Sequence, residues 1–146
     1  MKKVNIGIVG LAFGKEFLAI YKEHPLVDKI AICTRNPATL KAVGEEFGIP
    51  ESYRFTDYDD MIALKELDAI HIVTPIAEHT NQTLKALEAG KHTACTVPMA
   101  TTLEDIRRII DAKKRSGRIY MMMETSLYTR EYLYVRKMRD RGELGR

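Results

Sequence analysis

The residues with the clearest chemical meaning are the glycines near the N-terminus, in the run VNIGIVGLAFG at residues 4–14. An apolar run ends at Gly10, and Gly14 precedes a segment with helical spacing of apolar residues. This pattern predicts a buried strand, a glycine turn and a helix whose N–H groups and dipole favour an anion, typically the pyrophosphate of a dinucleotide. The usual spacing is G-x-G-x-x-G, but Ala12 and Lys15 occupy the second and third glycine positions. A tight turn without a ligand is therefore the alternative.

A second feature with chemical meaning is the end of the next apolar run, where Cys33 is followed by Thr34, Arg35 and Asn36. Thr34 lies about 20 residues after Gly14, where an NAD site has a carboxylate for the ribose hydroxyls. This chain has a hydroxyl and a guanidinium instead, and a guanidinium suits a 2′-phosphate. We therefore expect NADP rather than NAD as the cofactor. The alternative is a helix N-cap beside a solvent-exposed Arg35.

The elements that must position these residues alternate along the chain, with short β-branched runs between helical patterns. The pattern predicts six strands, at residues 4–9, 29–33, 52–56, 68–73, 92–96 and 119–123. Strands that alternate with helices indicate right-handed crossovers, and near-continuous apolar strands indicate a sheet covered on both faces. We expect an α/β fold with a doubly wound parallel sheet in the order 3-2-1-4-5-6. A five-stranded flavodoxin-like order is the alternative.

Capping residues predict several helix boundaries. Asn36 followed by Pro37 predicts an N-cap and the first helical residue. Thr101 and Glu104 have the spacing of a capping box. The buried stripe predicted behind this box consists of Leu103, Ile106, Ile109 and Ile110. We expect the three methionines at 121–123 to fill a buried sixth strand rather than to bind a metal.

Length, charge and cysteine content restrict the class of protein. With 146 residues the chain suits one domain, and a net charge of +3 gives no indication of nucleic-acid binding. Its apolar runs are too short to span a bilayer, and the N-terminus lacks the pattern of a signal peptide. Cys33 and Cys95 have no metal-ligand spacing, and neither do the four histidines. We expect a cytoplasmic protein that binds neither metal, membrane nor nucleic acid.

The run ALEAGKHTACTVPMATTLEDI, from Ala86 to Ile106, resembles the Gfo/Idh/MocA family, the oxidoreductases related to glucose-fructose oxidoreductase and inositol dehydrogenase. The family pattern is T-P-x-x-x-H, then ALEAGKHV, then E-K-P-x-A. The matching residues are Thr74, Pro75, His79, Glu88, Ala89, Gly90, Lys91, His92, Pro98 and Ala100. The resemblance, which extends from residue 4 to residue 146, implies an NAD(P)-binding Rossmann domain at 1–125. Residues 126–146 would be a terminal helix leading toward a substrate domain that this chain does not include.

The resemblance also implies which side chains would contact the cofactor. The pyrophosphate would be held by Gly10, Ala12, Phe13 and Gly14, and the adenosine end by Thr34 and Arg35. The cleft would be lined by Thr74, Pro75 and His79, and Pro98 would lie beside the nicotinamide. The lysine of the family's E-K-P triplet, which would assist proton transfer, is Val97 here. No catalytic residue is therefore assigned, although Glu124 or Tyr128 could compensate in a complete enzyme.

Three functions are compatible with this sequence. The first is the cofactor-binding domain of an oxidoreductase that transfers hydride to or from a sugar, polyol or related hydroxy compound. The second, suggested by Val97, is a dinucleotide-binding module without catalysis. The third is a remnant that folds without a ligand. Apolar surface that a second domain would cover is expected to favour association with another copy of the chain.

Overall fold

Both faces of the sheet are covered by helices, which is why its strands are almost continuously apolar. The computed structural model describes residues 2–145. Met1, the first residue of the predicted segment 1–125, and Arg146, the last residue of the predicted segment 126–146, lie outside the described residues. The strands are β1 (Val4–Val9), β2 (Val27–Cys33), β3 (Arg54–Phe55), β4 (Ala69–Ile72), β5 (His92–Thr96) and β6 (Tyr120–Met123). Adjacent strands pair in parallel in the order β3-β2-β1-β4-β5-β6. The predicted doubly wound α/β fold is thus confirmed, and the flavodoxin-like alternative is wrong.

Helices follow the strands in the predicted alternation. They are α1 (Leu11–Glu23), α2 (Pro37–Glu46), α3 (Tyr58–Ala63), α4 (Ile76–Glu88), α5 (Leu103–Ser116) and α6 (Arg130–Asp140), with 3-10 turns at Glu51–Tyr53 and Thr125–Tyr128. Asn36 Oδ1 accepts hydrogen bonds from the N–H groups of Ala38 and Thr39, so the predicted N-cap of α2 is confirmed. Among residues 2–145, no helix combines the length and the apolar character needed to cross a membrane.

The core consists of two layers, one on each face of the sheet. On the face covered by α1 and α2, fully buried residues include Ile8, Leu18 and Ile32. On the face covered by α3 and α4, Met61 and Ile72 are fully buried. Each such side chain contributes roughly 1.5–3 kcal/mol relative to an exposed one. These layers hold the carboxyl ends of β1, β2 and β4 in fixed positions.

Four of the six strands differ from their predicted ranges: β4 is one residue shorter at each end and β6 one residue shorter at its start, while β2 and β3 differ by two residues at their starts. The third strand was expected at residues 52–56, but only Arg54 and Phe55 pair with β2. The preceding residues form a 3-10 turn, because the Tyr53 N–H donates to the Pro50 carbonyl. Strand β2 begins at Val27, two residues earlier than expected, because Val27 pairs with Val4 of β1.

The start of α5 and its buried face also differ from the prediction. Thr102, and not Thr101, is the N-cap, and its Oγ1 accepts a hydrogen bond from the Asp105 N–H at 3.1 Å. Leu103 is then the first helical residue and is 74% exposed. Ile109 and Ala112, three residues apart on one helix face, are the buried positions of α5. Ile110 lies about 100° further round the helix and is exposed.

The expectation of a buried sixth strand is wrong for its side chains. Strand β6 forms, but Met121 and Met122 are about half exposed because β6 is at the edge of the sheet. Tyr134 and Val135 of α6 are exposed as well. The two methionines give the β6 edge apolar surface, and the self-association expected from the sequence stays a prediction.

Candidate functional site

A cleft of about 490 Å³ lies at the carboxyl ends of β1, β2 and β4, where the strand order reverses direction. Its lining comes from the loops after these strands and after β3, the first residues of α1 and α3, and one face of α4. The predicted site residues in this lining are Gly10, Ala12, Thr34, Arg35, Thr74 and Pro75. Ligands in open α/β sheets bind at this type of position.

The glycine turn brings the backbone close to the end of β4. Gly10 has φ of 92°, a left-handed conformation that favours glycine. A Cβ atom at this position would lie 2.5 Å from the Val73 carbonyl oxygen, so the close approach itself also requires glycine. The Gly10 N–H donates to the Cys33 carbonyl at 3.0 Å. The turn is therefore fixed between β2 and β4 before helix α1 begins.

Helix α1 presents unpartnered donors at its N-terminus. The first N–H to donate within the helix is that of Gly14, which bonds to the Gly10 carbonyl at 3.1 Å. The N–H groups of Leu11, Ala12 and Phe13 have no acceptor within the part of the chain that the structure describes. The first turn also has no acidic side chain. The positive end of the helix dipole is therefore not neutralised beside the cleft.

Phe13 and Gly14, predicted to hold the pyrophosphate, do not line the cleft. Phe13 is 54% exposed and packs edge-on against Phe17, with ring centroids 5.4 Å apart. A Cβ atom on Gly14 would lie 3.1 Å from Ile8 Cγ2, so this glycine lets α1 pack tightly against β1. Contact of either residue with a cofactor stays a prediction.

Thr34 and Arg35 lie at the β2 end of the cleft. The Thr34 N–H donates to the Phe55 carbonyl, which fixes the loop against β3. Arg35 is exposed and forms no hydrogen bond or ion pair with residues 2–145. Lys85, a second cation of the lining, is instead paired with Asp59, with Nζ 2.6 Å from Oδ2. Arg35 is therefore available for an anion that enters from this side.

One face of α4 forms the opposite wall, and sequence reasoning missed it. Thr74 Oγ1 donates to Gln82 Oε1 at 2.7 Å, and the Tyr58 hydroxyl donates to the Gln82 carbonyl at 2.7 Å. The lining residues of this helix are Glu78, Asn81, Gln82 and Lys85. Their three- and four-residue spacing places them on one helical face, and that spacing could have identified them.

His79 lies behind the cleft wall and is 1% exposed. Its Nδ1 is 2.8 Å from the Pro98 carbonyl oxygen, and its Nε2 is 2.9 Å from the Thr74 carbonyl oxygen. Pro98 itself is exposed and does not line the cleft. The structure thus brings His79, Thr74 and Pro98 together, while direct contact of His79 or Pro98 with a cofactor stays a prediction.

The ionisable side chains that line the cleft do not form an activated nucleophile. Burial, together with the charges of Asp57 and Asp60, raises the pKa of the Cys33 thiol to about 12. This thiol is therefore neutral at physiological pH and unreactive. Burial also raises the pKa of Tyr58. Across residues 2–145, no three His, Cys, Asp or Glu side chains are grouped so as to hold a metal ion. Because Asp57, Asp59 and Glu78 also line the cleft, an anion would be bound by the N–H groups of α1 and by Arg35.

Comparison with known proteins shows the same architecture in oxidoreductases. A family model, GFO_IDH_MocA, described as an oxidoreductase family with an NAD-binding Rossmann fold, matches residues 4–124. An uncharacterized oxidoreductase, ORF334 of Rhizobium meliloti, is 34% identical over 81% of this chain and 35% of its own length. This chain spans about a third of the length of the curated relatives it matches.

Two solved structures are similar over 99% of this chain. One is scyllo-inositol dehydrogenase from Lactobacillus casei with NAD(H) and scyllo-inositol bound, with a TM-score of 0.85, 29% identity and 43% of that chain covered. The other is the WlbA dehydrogenase from Bordetella pertussis in complex with NADH and UDP-GlcNAcA, with a TM-score of 0.86, 27% identity and 44% covered.

Proposed function

This chain belongs to the Gfo/Idh/MocA family of oxidoreductases with an NAD-binding Rossmann fold, and we propose that its cleft binds NADP and orients it for hydride transfer. One observation carries this proposal. The N–H groups of Leu11, Ala12 and Phe13 lack acceptors within residues 2–145, at the N-terminus of a helix that opens onto the cleft. Such donors together with the helix dipole suit the pyrophosphate of a dinucleotide.

The cleft has the size and donor set that a dinucleotide needs. Its volume of about 490 Å³ falls within the range of roughly 300–1,000 Å³ for small-molecule sites. Leu11 and Ala12 supply the anion-binding end, and Thr34 and Arg35 lie at the β2 end of the same cleft. The pyrophosphate and the adenosine ribose would therefore be held by different loops of one rigid sheet.

Arg35 supports NADP over NAD. At the β2 end, position 34 is a threonine, whereas an NAD site has a carboxylate there that accepts hydrogen bonds from the ribose hydroxyls. Arg35 is exposed, and its planar set of donors matches the oxygens of a 2′-phosphate. A 2′-phosphate would give Arg35 a partner, whereas NAD would leave it solvated.

The proposed substrate is a sugar, polyol or related hydroxy compound. The two similar structures above are dehydrogenases, with scyllo-inositol bound in one and UDP-GlcNAcA in the other. When bound, the nicotinamide supplies or accepts the hydride. The chain's own part is to bind and orient the dinucleotide.

Among residues after β6, Glu124 already accepts a hydrogen bond from the Ser126 N–H, which lowers the pKa of Glu124, whereas Tyr128 is 82% exposed. Tyr128 is therefore our candidate for proton transfer.

Val97 favours a second function, dinucleotide binding without catalysis. It occupies the position of the family's lysine, and its side chain cannot carry a proton. Its N–H donates to the Met123 carbonyl at 3.2 Å, so the residue joins β5 to β6. Consumption of NADPH by this chain with a ketone-bearing sugar or polyol would support the oxidoreductase and exclude the binding module.

Calorimetric titration of the unaltered chain with NADPH and NADH tests the binding proposal. We expect one site, with NADPH bound roughly ten-fold or more tightly than NADH, because a charge-assisted hydrogen bond contributes about 1.5–3 kcal/mol. AMP, which lacks the pyrophosphate, should bind much more weakly than either. The absence of binding by both dinucleotides at millimolar concentration would exclude the proposal.

A further inference from the structure

Strand β6 forms an edge of the sheet that has no partner strand on its outer side. Within residues 2–145 it pairs only with β5, and residues 119–123 are five consecutive apolar residues without a charge or a proline. Natural edge strands normally carry charges, prolines or bulges that prevent pairing with another chain. Ile119, Met121 and Met122 are instead 66%, 52% and 49% exposed. This edge therefore has the properties of a strand that pairs with another chain.

The hydrogen bonds between β6 and β5 determine which backbone groups face outward. The carbonyls of Ile119 and Met123 accept hydrogen bonds from an N–H of β5 and from the N–H of the residue that follows it. Residues of a strand alternate in the side to which their N–H and C=O groups point, so the backbone groups of Met121 also face β5. The backbone groups of Tyr120 and Met122, which lie between these residues, face outward.

Two β6 strands in antiparallel orientation are complementary about Met121. A two-fold axis at this residue places Tyr120 opposite Met122 of the second copy, and the outward groups then form two hydrogen-bonded residue pairs. Met121 faces Met121 of the second copy, and Ile119 faces Met123 of the second copy. Facing side chains of an antiparallel pair contact each other, so apolar surface that is exposed in one chain is covered in the pair.

The charges beside β6 favour the same register. Arg118 and Glu124 flank the apolar run on its two sides. The two-fold axis at Met121 places Arg118 opposite Glu124 of the second copy, once at each end of the pair. Arg118 is exposed and forms no ion pair with residues 2–145. Opposite charges on facing positions are favourable and like charges are not, and a parallel pair in the same register would place Arg118 opposite Arg118.

We propose that a second copy of this chain pairs with β6 in antiparallel orientation and continues the sheet across a two-fold axis at Met121. The proposal does not depend on the cofactor, because the cleft lies at the carboxyl ends of β1, β2 and β4 and the pairing edge at β6. A single pair of short strands is a small interface, so the dimer is reversible.

Disulfide cross-linking tests the register of the pair. Residues that face each other at the axis have Cα atoms about 4.5 Å apart, within the range of roughly 4.4–6.8 Å for disulfides. We therefore expect Met121→Cys to form a covalent dimer with diamide as the oxidant, detected by non-reducing electrophoresis. Ile119→Cys is the control, because its two copies would be about 14 Å apart. The native Cys33 and Cys95 are buried. Equal cross-linking of the two variants, or none in Met121→Cys, would overturn the register.

Sedimentation velocity measures the dimer itself. We expect the unaltered chain to dimerise reversibly at about 10–500 µM. Met121→Lys places two ammonium groups opposite each other and should raise the dimer Kd roughly ten-fold or more. Ile20→Lys is the control, because Ile20 is 61% exposed on α1, and it should leave the dimer Kd unchanged.

Far-ultraviolet circular dichroism establishes that both lysine variants are folded, which we expect because the replaced side chains are exposed. A dimer Kd that is the same in Met121→Lys and the unaltered chain would overturn the role of β6. An unaltered chain that stays monomeric at about 500 µM would overturn the second copy as the partner of this edge and leave a strand of another protein as its partner.

Discussion

Replacing Gly10 with alanine is expected to destabilise the chain by about 2–5 kcal/mol and to abolish dinucleotide binding. The left-handed backbone at Gly10 costs an L-residue roughly 1–2 kcal/mol. The added Cβ would also lie 2.5 Å from the Val73 carbonyl oxygen, an overlap that adds about 1–3 kcal/mol through displacement of the backbone. Any movement of the turn shifts the N–H groups of α1 that face the cleft. Denaturant unfolding and NADPH titration measure the two effects.

Gly48→Ala is the matched control for this substitution. Gly48 also has a positive φ, of 64°, but a Cβ there would have no atom within 4 Å. It should therefore show only the backbone cost, about 1–2 kcal/mol, and unchanged NADPH affinity. Equal destabilisation of the two variants would show that the close approach to Val73 is unimportant. Normal NADPH affinity in a folded Gly10→Ala variant would contradict the role of the turn.

Replacing Arg35 with aspartate is expected to reverse the cofactor preference. NADPH affinity should fall by about two orders of magnitude, because a charge-assisted interaction of about 1.5–3 kcal/mol is lost and a carboxylate then faces the 2′-phosphate. NADH affinity should be unchanged or improved, since a carboxylate can accept hydrogen bonds from ribose hydroxyls. Stability should barely change, because Arg35 is exposed and has no ion-pair partner within residues 2–145. Calorimetry with both dinucleotides measures the reversal.

Arg136→Asp is the control for charge alone. Arg136 is an exposed arginine of α6, and its substitution changes the net charge by the same amount. It should leave both affinities unchanged. If Arg35→Asp keeps the NADPH affinity of the unaltered chain, Arg35 does not bind the 2′-phosphate and the preference for NADP has no basis.

Much of the fold follows from local patterns in the sequence. The strands read as apolar runs because both sheet faces are covered, and Asn36 could be identified as an N-cap because its side chain satisfies two N–H groups next to it. The exposure of Met121 was missed although the predicted strand order already places β6 at the edge of the sheet, because the methionines were interpreted as core residues from their apolar type. Which face of α5 is buried depends on how the helix packs: Ile109 and Ala112 are its buried residues, whereas Leu103 and Ile110, predicted to be buried, are exposed.

The residues of the candidate site that directly follow a strand could be predicted from the sequence. Gly10, Thr34 and Thr74 each follow a predicted strand, and parallel strands bring their carboxyl ends to one edge of the sheet. Gln82 was not predictable in this way, because it lies two turns into a helix and its contacts with Thr74 and Tyr58 join three elements. The contact of His79 with Pro98 depends on how two loops close, and no local pattern encodes it.

The central claim, that the N-terminus of α1 binds the pyrophosphate, is tested most directly by NADH titration of Ala12→Asp beside Ala38→Asp. Both alanines are exposed second residues of helices, but Asn36 already caps the N–H groups of α2. An aspartate should leave stability unchanged or raise it by about 0.3–1 kcal/mol in each helix. We predict that Ala12→Asp lowers NADH affinity at least ten-fold, whereas Ala38→Asp leaves it unchanged. Equal NADH affinity in Ala12→Asp and the unaltered chain would contradict the claim.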